Sequence, residues 1–212
     1  MPSQASDPLT AFPFNPLAGN RHPIDNGKVQ PPSIEFADMS TPPLPHLTFV
    51  LGGARSGKSR YAEGLVMDCA PPWIYVATSQ ADDDEMSARI AEHRQRRDGK
   101  WRTLEAPLDL PEAIAAHGND GQAVLIDCLT LWLSNVMLAG RDVFAEQQRL
   151  VAALNNADGP VVVVSNEVGF GIVPNNALAR KFRDAQGRLN MQVAAIADRA
   201  VLIAAGLPLI LK

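Results

Sequence analysis

The chain has 212 residues, and its 19 basic and 23 acidic side chains leave a formal net charge of -4. With 46% hydrophobic and 20% charged residues, it has the composition of a packed globular body, and the near-balanced charge argues against bulk nucleic-acid binding while leaving room for a local basic groove. No stretch approaches the ~20 apolar residues that span a bilayer and no secretory signal opens the chain; Cys69 and Cys128 supply neither a disulfide framework nor a zinc set, which fits a reducing cytoplasm.

Residues 1–45 form a proline-rich extension. Ten of the 17 prolines fall there, and neither helical nor central-strand periodicity survives them. The segment reads as a flexible lead-in, or as a tail that docks through Phe12, Phe14 or Phe36. From His46 to Lys212 the pattern is that of one domain. Leu47–Leu51, Trp73–Ala77, Ala123–Ile126 and Val161–Val164 are predicted strands, and the four consecutive valines suit a strand buried on both faces. Helices are predicted over Lys58–Cys69, Asp83–Arg97, Leu108–Ala116, Leu129–Leu138, Phe144–Asn155 and Ala177–Asp198. Ala200–Ala204 and Leu207–Leu211 flank Gly206 as a hairpin. Strands alternating with helices predict an α/β, P-loop NTPase-like fold: a mostly parallel sheet flanked by helices, with one antiparallel C-terminal edge strand.

Between the first strand and the first helix lies Gly52-Gly53-Ala54-Arg55-Ser56-Gly57-Lys58-Ser59, a Walker A spacing in the context that motif requires. The glycines let backbone N–H groups turn toward a phosphate chain, and the helix adds its positive end. Lys58 can then reach the β and γ phosphates, and the Ser59 hydroxyl can ligate magnesium. A second oxygen ligand is expected, and Asp127, at the end of an apolar run, would emerge where open sheets hold their ligands. It reads either as a magnesium or bridging-water carboxylate or as the N-cap of the following helix, and both roles can coexist.

Acidic residues open the predicted helix 83–97 and basic ones close it, as in any well-solvated helix. Yet Arg89, His93, Arg96 and Arg97 share a face, so the imidazole can approach a polyphosphate and act as a nucleophile toward phosphorus. His22, His46 and His117 are read as surface groups. After the valine run, the loop Ser165 to Pro174 carries Glu167 and two glycines; Glu167 can accept hydrogen bonds from a base or orient a metal-bound water, or simply face solvent. Arg180, Arg183 and Arg188 can meet phosphate, hold a neighbouring subunit, or line a solvated helix face.

These motifs coincide with those of a known family. The phosphate loop with Arg60 following, Tyr75-Val76-Ala77-Thr78-Ser79, Asp84-Glu85-Met86 with Arg89-Ile90 and His93, Trp101-Arg102-Thr103-Leu104-Glu105, Asn166-Glu167-Val168-Gly169 with Gly171-Ile172-Val173-Pro174, and Arg180 to Asn190 resemble the bifunctional adenosylcobinamide kinases / adenosylcobinamide-phosphate guanylyltransferases of cobalamin biosynthesis. The resemblance implies phosphorylation of adenosylcobinamide by ATP or GTP, then transfer of GMP from GTP to the resulting adenosylcobinamide phosphate through a guanylylated His93. It also implies a homotrimer; the expected site takes Mg2+ as cofactor, with Arg89 and Glu105 among the nucleotide contacts. The 45-residue extension departs from the family pattern. Readings without the resemblance are a small-metabolite kinase that forms no covalent GMP, and a nucleotide-gated interaction protein.

Overall fold

The computed structural model describes residues 43–80, 99–117 and 121–212, all within a compact unit spanning Thr41–Lys212. The expected proline-rich extension, apart from its last residues, lies outside them, as does the predicted helix 83–97 with Arg89 and His93.

In chain order the described elements are β1 (Leu47–Gly52), α1 (Lys58–Met67), β2 (Trp73–Ala77), β3 (Trp101–Glu105), α2 (Leu110–His117), β4 (Val124–Asp127), α3 (Leu129–Leu138), α4 (Val143–Asn155), β5 (Val161–Asn166), α5 (Ala177–Ile196), β6 (Arg199–Ala204) and β7 (Leu207–Ile210). The strands form one sheet in the order β3-β2-β4-β5-β1-β6-β7. Every neighbouring pair is parallel except β6–β7.

Both faces of the sheet are covered, so the central strands are apolar at successive positions. Leu47, Phe49, Ile126, Val161 and Val163 point into a core closed by α2, α3, α4 and α5 through Leu110, Trp132, Leu150 and Leu189. Val50, Leu125, Val162 and Val164 point to the other side, where Ala62 and Val66 of α1 pack on them. The four valines therefore divide two and two between the layers, and α1 runs over β5 and β4.

Local chemistry sets the ends. Asp142 caps α4, accepting from the N–H groups of Phe144 and Ala145, and Asn176 caps α5 through Leu178 and Ala179. Helix α5 stops at Ile196, earlier than its periodicity predicts: Asp198 instead turns its carboxylate to the Leu47 N–H, 2.8 Å away, tying the entry of β6 to that of β1. Helix α1 likewise stops at Met67, where the Cys69 N–H folds back on the Val66 carbonyl and Cys69 O accepts from the Trp73 indole. The β6–β7 turn is Ala205-Gly206, with φ of 52° and 80°, the left-handed pair that a two-residue hairpin requires.

Candidate active site

The phosphate loop leaves β1 at Gly52. A Cβ on this residue would stand 2.7 Å from the Ile203 carbonyl oxygen and 2.5 Å from Ser56 Oγ, so only glycine fits. The loop closes on itself through Ser56 N–H to Gly53 O, and the hairpin turn braces it through Gly206 N–H to Ser56 O at 2.9 Å. Gly57 adopts φ 94° as the N-cap of α1 and provides no side-chain cap. The first N–H groups of that helix are thus left for a ligand, the arrangement that binds phosphate. Ala54 and Arg55 are exposed, Ser59 is half-buried in the first turn, and Lys58 is buried, its ammonium donating to Gly53 O at 3.1 Å across the loop.

Sheet register adds the other groups. Ala77 pairs with Asp127 on one side and with Glu105 on the other, and Gly52 pairs with Asn166. Side chains alternate along a strand. Because Leu125, Val164 and Trp101 face the α1 layer, Asp127, Asn166 and Glu105 emerge toward that same layer at the carboxyl edge. With strands about 4.8 Å apart, the Glu105 and Asp127 positions are separated by about 10 Å along this row. The phosphate loop, Asp127 and Glu105 therefore open on one face and one edge.

The N-cap position of α3 is held by Cys128, with no side-chain cap bond, and not by Asp127. Thr78 fixes the junction instead: its buried hydroxyl donates to Cys128 O at 2.7 Å and accepts from Cys128 N at 2.8 Å, while the Thr78 N–H donates to Asp127 O. Asn135 Nδ2 in turn donates to Thr78 O and Pro107 O. The Asp127–Cys128 peptide is cis. Burial pushes the Cys128 thiol up to about 11, the Asp127 charge adds to that, and Lys58 opposes it.

Ser59 and Asp127 offer a hydroxyl and a carboxylate, the hard oxygen donors that magnesium takes while keeping water and phosphate oxygens. No group of three or more His, Cys, Asp or Glu that could hold a metal occurs among the described residues.

Glu167 continues from Asn166, its N–H donating to Gly52 O at 3.1 Å. Its carboxylate is turned onto its own loop and accepts from Gly169 N at 2.5 Å. Arg180 holds the same loop through the carbonyls of Pro174 and Asn175, and Arg183 pairs with Asp184. His46 lies at the opposite, amino end of β1 against Ala157 O, and His117 ends α2. Thr78, Thr130 and Asn166 belong to this site or its support, yet spacing gave them no role. Thr78 and Asn166 lie within motifs that carry the family resemblance, which was the available signal.

A family model described as cobinamide kinase / cobinamide phosphate guanyltransferase matches residues 48–211. The chain is 44% identical over 165 residues to the bifunctional adenosylcobalamin biosynthesis protein CobP of Pseudomonas aeruginosa, covering 77% of this chain and 95% of that one. It is 44% identical over 181 residues to the bifunctional adenosylcobalamin biosynthesis protein CobU of Escherichia coli, covering 78% and 99%, and 42% identical, with the same coverage, to its counterpart in Salmonella typhimurium. Among solved structures, the RadB recombinase is similar at a TM-score of 0.47, with 17% identity over 75% of this chain and 74% of that one.

Proposed function

The chain belongs to the cobinamide kinase / cobinamide phosphate guanyltransferase family, and from that premise we propose that it phosphorylates adenosylcobinamide with ATP or GTP and then transfers GMP from GTP to adenosylcobinamide phosphate. One observation carries the reading: an uncapped helix N-terminus behind a phosphate loop opens on the same sheet face and edge as Asp127 and Glu105.

In the first reaction the loop N–H groups and Lys58 hold the triphosphate, and the substrate hydroxyl attacks the γ phosphorus. Catalysis there is positional and electrostatic. Ser59 and Asp127 are the residues that would hold magnesium, which when bound neutralises charge on the β and γ phosphates. On opening toward the nucleotide, Lys58 exchanges the Gly53 carbonyl for phosphate oxygens. Glu105 and Glu167 are assigned to contacts with the nucleotide, and Glu167 must release Gly169 to make one.

In the second reaction His93, with Arg89 beside it in the sequence-predicted helix, attacks the α phosphorus of GTP. The N–P bond forms as pyrophosphate leaves; the corrinoid phosphate then attacks the GMP-histidine and frees the imidazole. The working assembly is a homotrimer in the cytoplasm, with adenosylcobinamide and its phosphate as partners besides the nucleotides, and no nucleic acid. No helix among the described residues is long and apolar enough to cross a membrane.

The test is incubation of purified protein with adenosylcobinamide and GTP labelled at the α phosphorus, resolving protein-bound GMP from corrinoid product. The expected result is an acid-labile, base-stable label on the protein that chases into adenosylcobinamide-GDP. Corrinoid phosphate without any labelled protein would reduce the activity to that of a kinase.

A further inference from the structure

Asn166 is held more firmly than the end of a strand requires. Its N–H donates to something fixed in turn by α3: the acceptor is Thr130 Oγ1, at 2.8 Å. Its carbonyl accepts from Asn190 Nδ2 of α5 at 3.2 Å, and the next N–H, that of Glu167, is bonded to Gly52 O at the mouth of the phosphate loop. Behind these contacts Ser165, Gln186 and Asn190 form a buried triangle of hydrogen bonds at 2.7 to 3.0 Å. The backbone is therefore pinned from three directions, while the side chain is half-buried. Among the described residues its amide makes one weak contact, Nδ2 to Cys128 Sγ at 3.9 Å, which a phosphate oxygen readily outcompetes as an acceptor.

Its direction follows from the sheet. Val162 and Val164 face the α1 layer, so Asn166 faces it too. It is the register partner of Gly52, two residues beyond Val164, the partner of Asp127, and α1 begins at Lys58 over this strand. A neutral donor with a fixed backbone thus stands between the phosphate loop and the Asp127 carboxylate.

We propose that the Asn166 side-chain amide is a catalytic hydrogen-bond donor to the phosphoryl group during its transfer to the corrinoid hydroxyl. The proposal rests on the kinase reading above. In that step the bond between the hydroxyl oxygen and the γ phosphorus forms as the bond from that phosphorus to the β–γ bridging oxygen breaks. The nucleoside diphosphate leaves, and the hydroxyl proton passes to a phosphoryl oxygen and then to solvent. Asn166 transfers no proton; it supplies a preorganised donor to the equatorial oxygens where charge is redistributed.

The test compares wild type with Asn166→Ala and with the near-isosteric Asn166→Asp, which exchanges the donor for a negative charge. Initial rates of adenosylcobinamide phosphorylation, ATP affinity by titration, GMP loading from GTP and the thermal midpoint are read for each. A preorganised donor of this kind is worth roughly 100-fold in kcat, so both variants should lose at least that. ATP affinity of Asn166→Ala should stay within about threefold, and phosphorylation should fall far more than GMP loading. An active wild type with Asn166→Ala phosphorylating within threefold of it overturns the proposal alone. Equal losses of phosphorylation, GMP loading and nucleotide affinity also overturn it, since they mark a structural or ground-state binding role. A wild type that binds ATP without phosphorylating adenosylcobinamide overturns the functional reading, and the proposal with it.

Discussion

At the scale of single residues, neighbouring glycines of the loop separate fold from ligand contact. Gly52 has a backbone carbonyl and a buried hydroxyl inside the space a methyl group would take, and the carbonyl belongs to β6, so it cannot move without shifting the sheet. Gly52→Ala should therefore cost about 1–3 kcal/mol in urea unfolding and weaken nucleotide binding by roughly tenfold or more as the loop is displaced. A Cβ on Gly53 meets nothing within 4 Å, so Gly53→Ala should leave the unfolding midpoint nearly unchanged. Equal stability losses in the two variants would contradict this geometry. Lys58 differs again: it donates across the loop to a carbonyl. Lys58→Ala should keep the fold while lowering both phosphorylation and GMP loading by roughly 100-fold, read as rates at saturating corrinoid.

At the scale of elements, the contact of α5 with the end of β5 is a polar cluster. Ser165 Oγ donates to Asn190 Oδ1, Gln186 Nε2 donates to both, and Asn190 also reaches Asn166 O. Asn190→Ala removes a shared acceptor and the donor to a strand carbonyl, and leaves a void; it should cost about 2–4 kcal/mol. Ser165→Ala leaves Gln186 and Asn190 bonded to each other and should cost about 1 kcal/mol. In a double-mutant cycle the costs should fail to add by at least about 0.5 kcal/mol, measured by urea unfolding; strict additivity would mean the groups do not act as one network. Elements of this kind divide what the sequence discloses from what it conceals. The four valines, the loop between β1 and α1, and the Gly206 hairpin were legible because each has a period or a backbone requirement of its own. Strand β3 was not read as a strand: Trp101 and Leu104 are half-buried, while Arg102, Thr103 and Glu105 are exposed at the sheet edge, so neither an apolar run nor clean alternation marks it. Site residues followed the same division. Lys58, Ser59 and Asp127 stand out by motif or by a carboxylate ending an apolar strand, whereas Thr78 and Asn166 owe their places to partners up to 57 residues away along the chain, which no local spacing reveals.

At the scale of the whole molecule, one sheet edge has to serve two phosphorus centres. The loop is tied to β6 and β7 through Gly206, to β5 through Glu167, and to α1 by continuity, so the triphosphate site cannot swing between reactions without breaking the edge apart. The group that attacks the α phosphorus must then be brought to a stationary nucleotide, and the chain departs from this edge after Thr78, whose N–H is bonded to Asp127 O, and rejoins the sheet at Trp101. The reading assigns the attack to His93, within that connection. His93→Ala should therefore abolish labelled GMP on the protein and formation of adenosylcobinamide-GDP, even when adenosylcobinamide phosphate is supplied, while phosphorylation persists at a substantial fraction of the wild-type rate. Lys58→Ala, in contrast, should lose both reactions, and Asn166→Ala mainly the first. Because two in-line displacements invert phosphorus twice, the α centre should show net retention in the wild-type product. Inversion there, or guanylyl transfer surviving in His93→Ala, would mean that the corrinoid phosphate attacks GTP directly and that the imidazole carries no nucleotide.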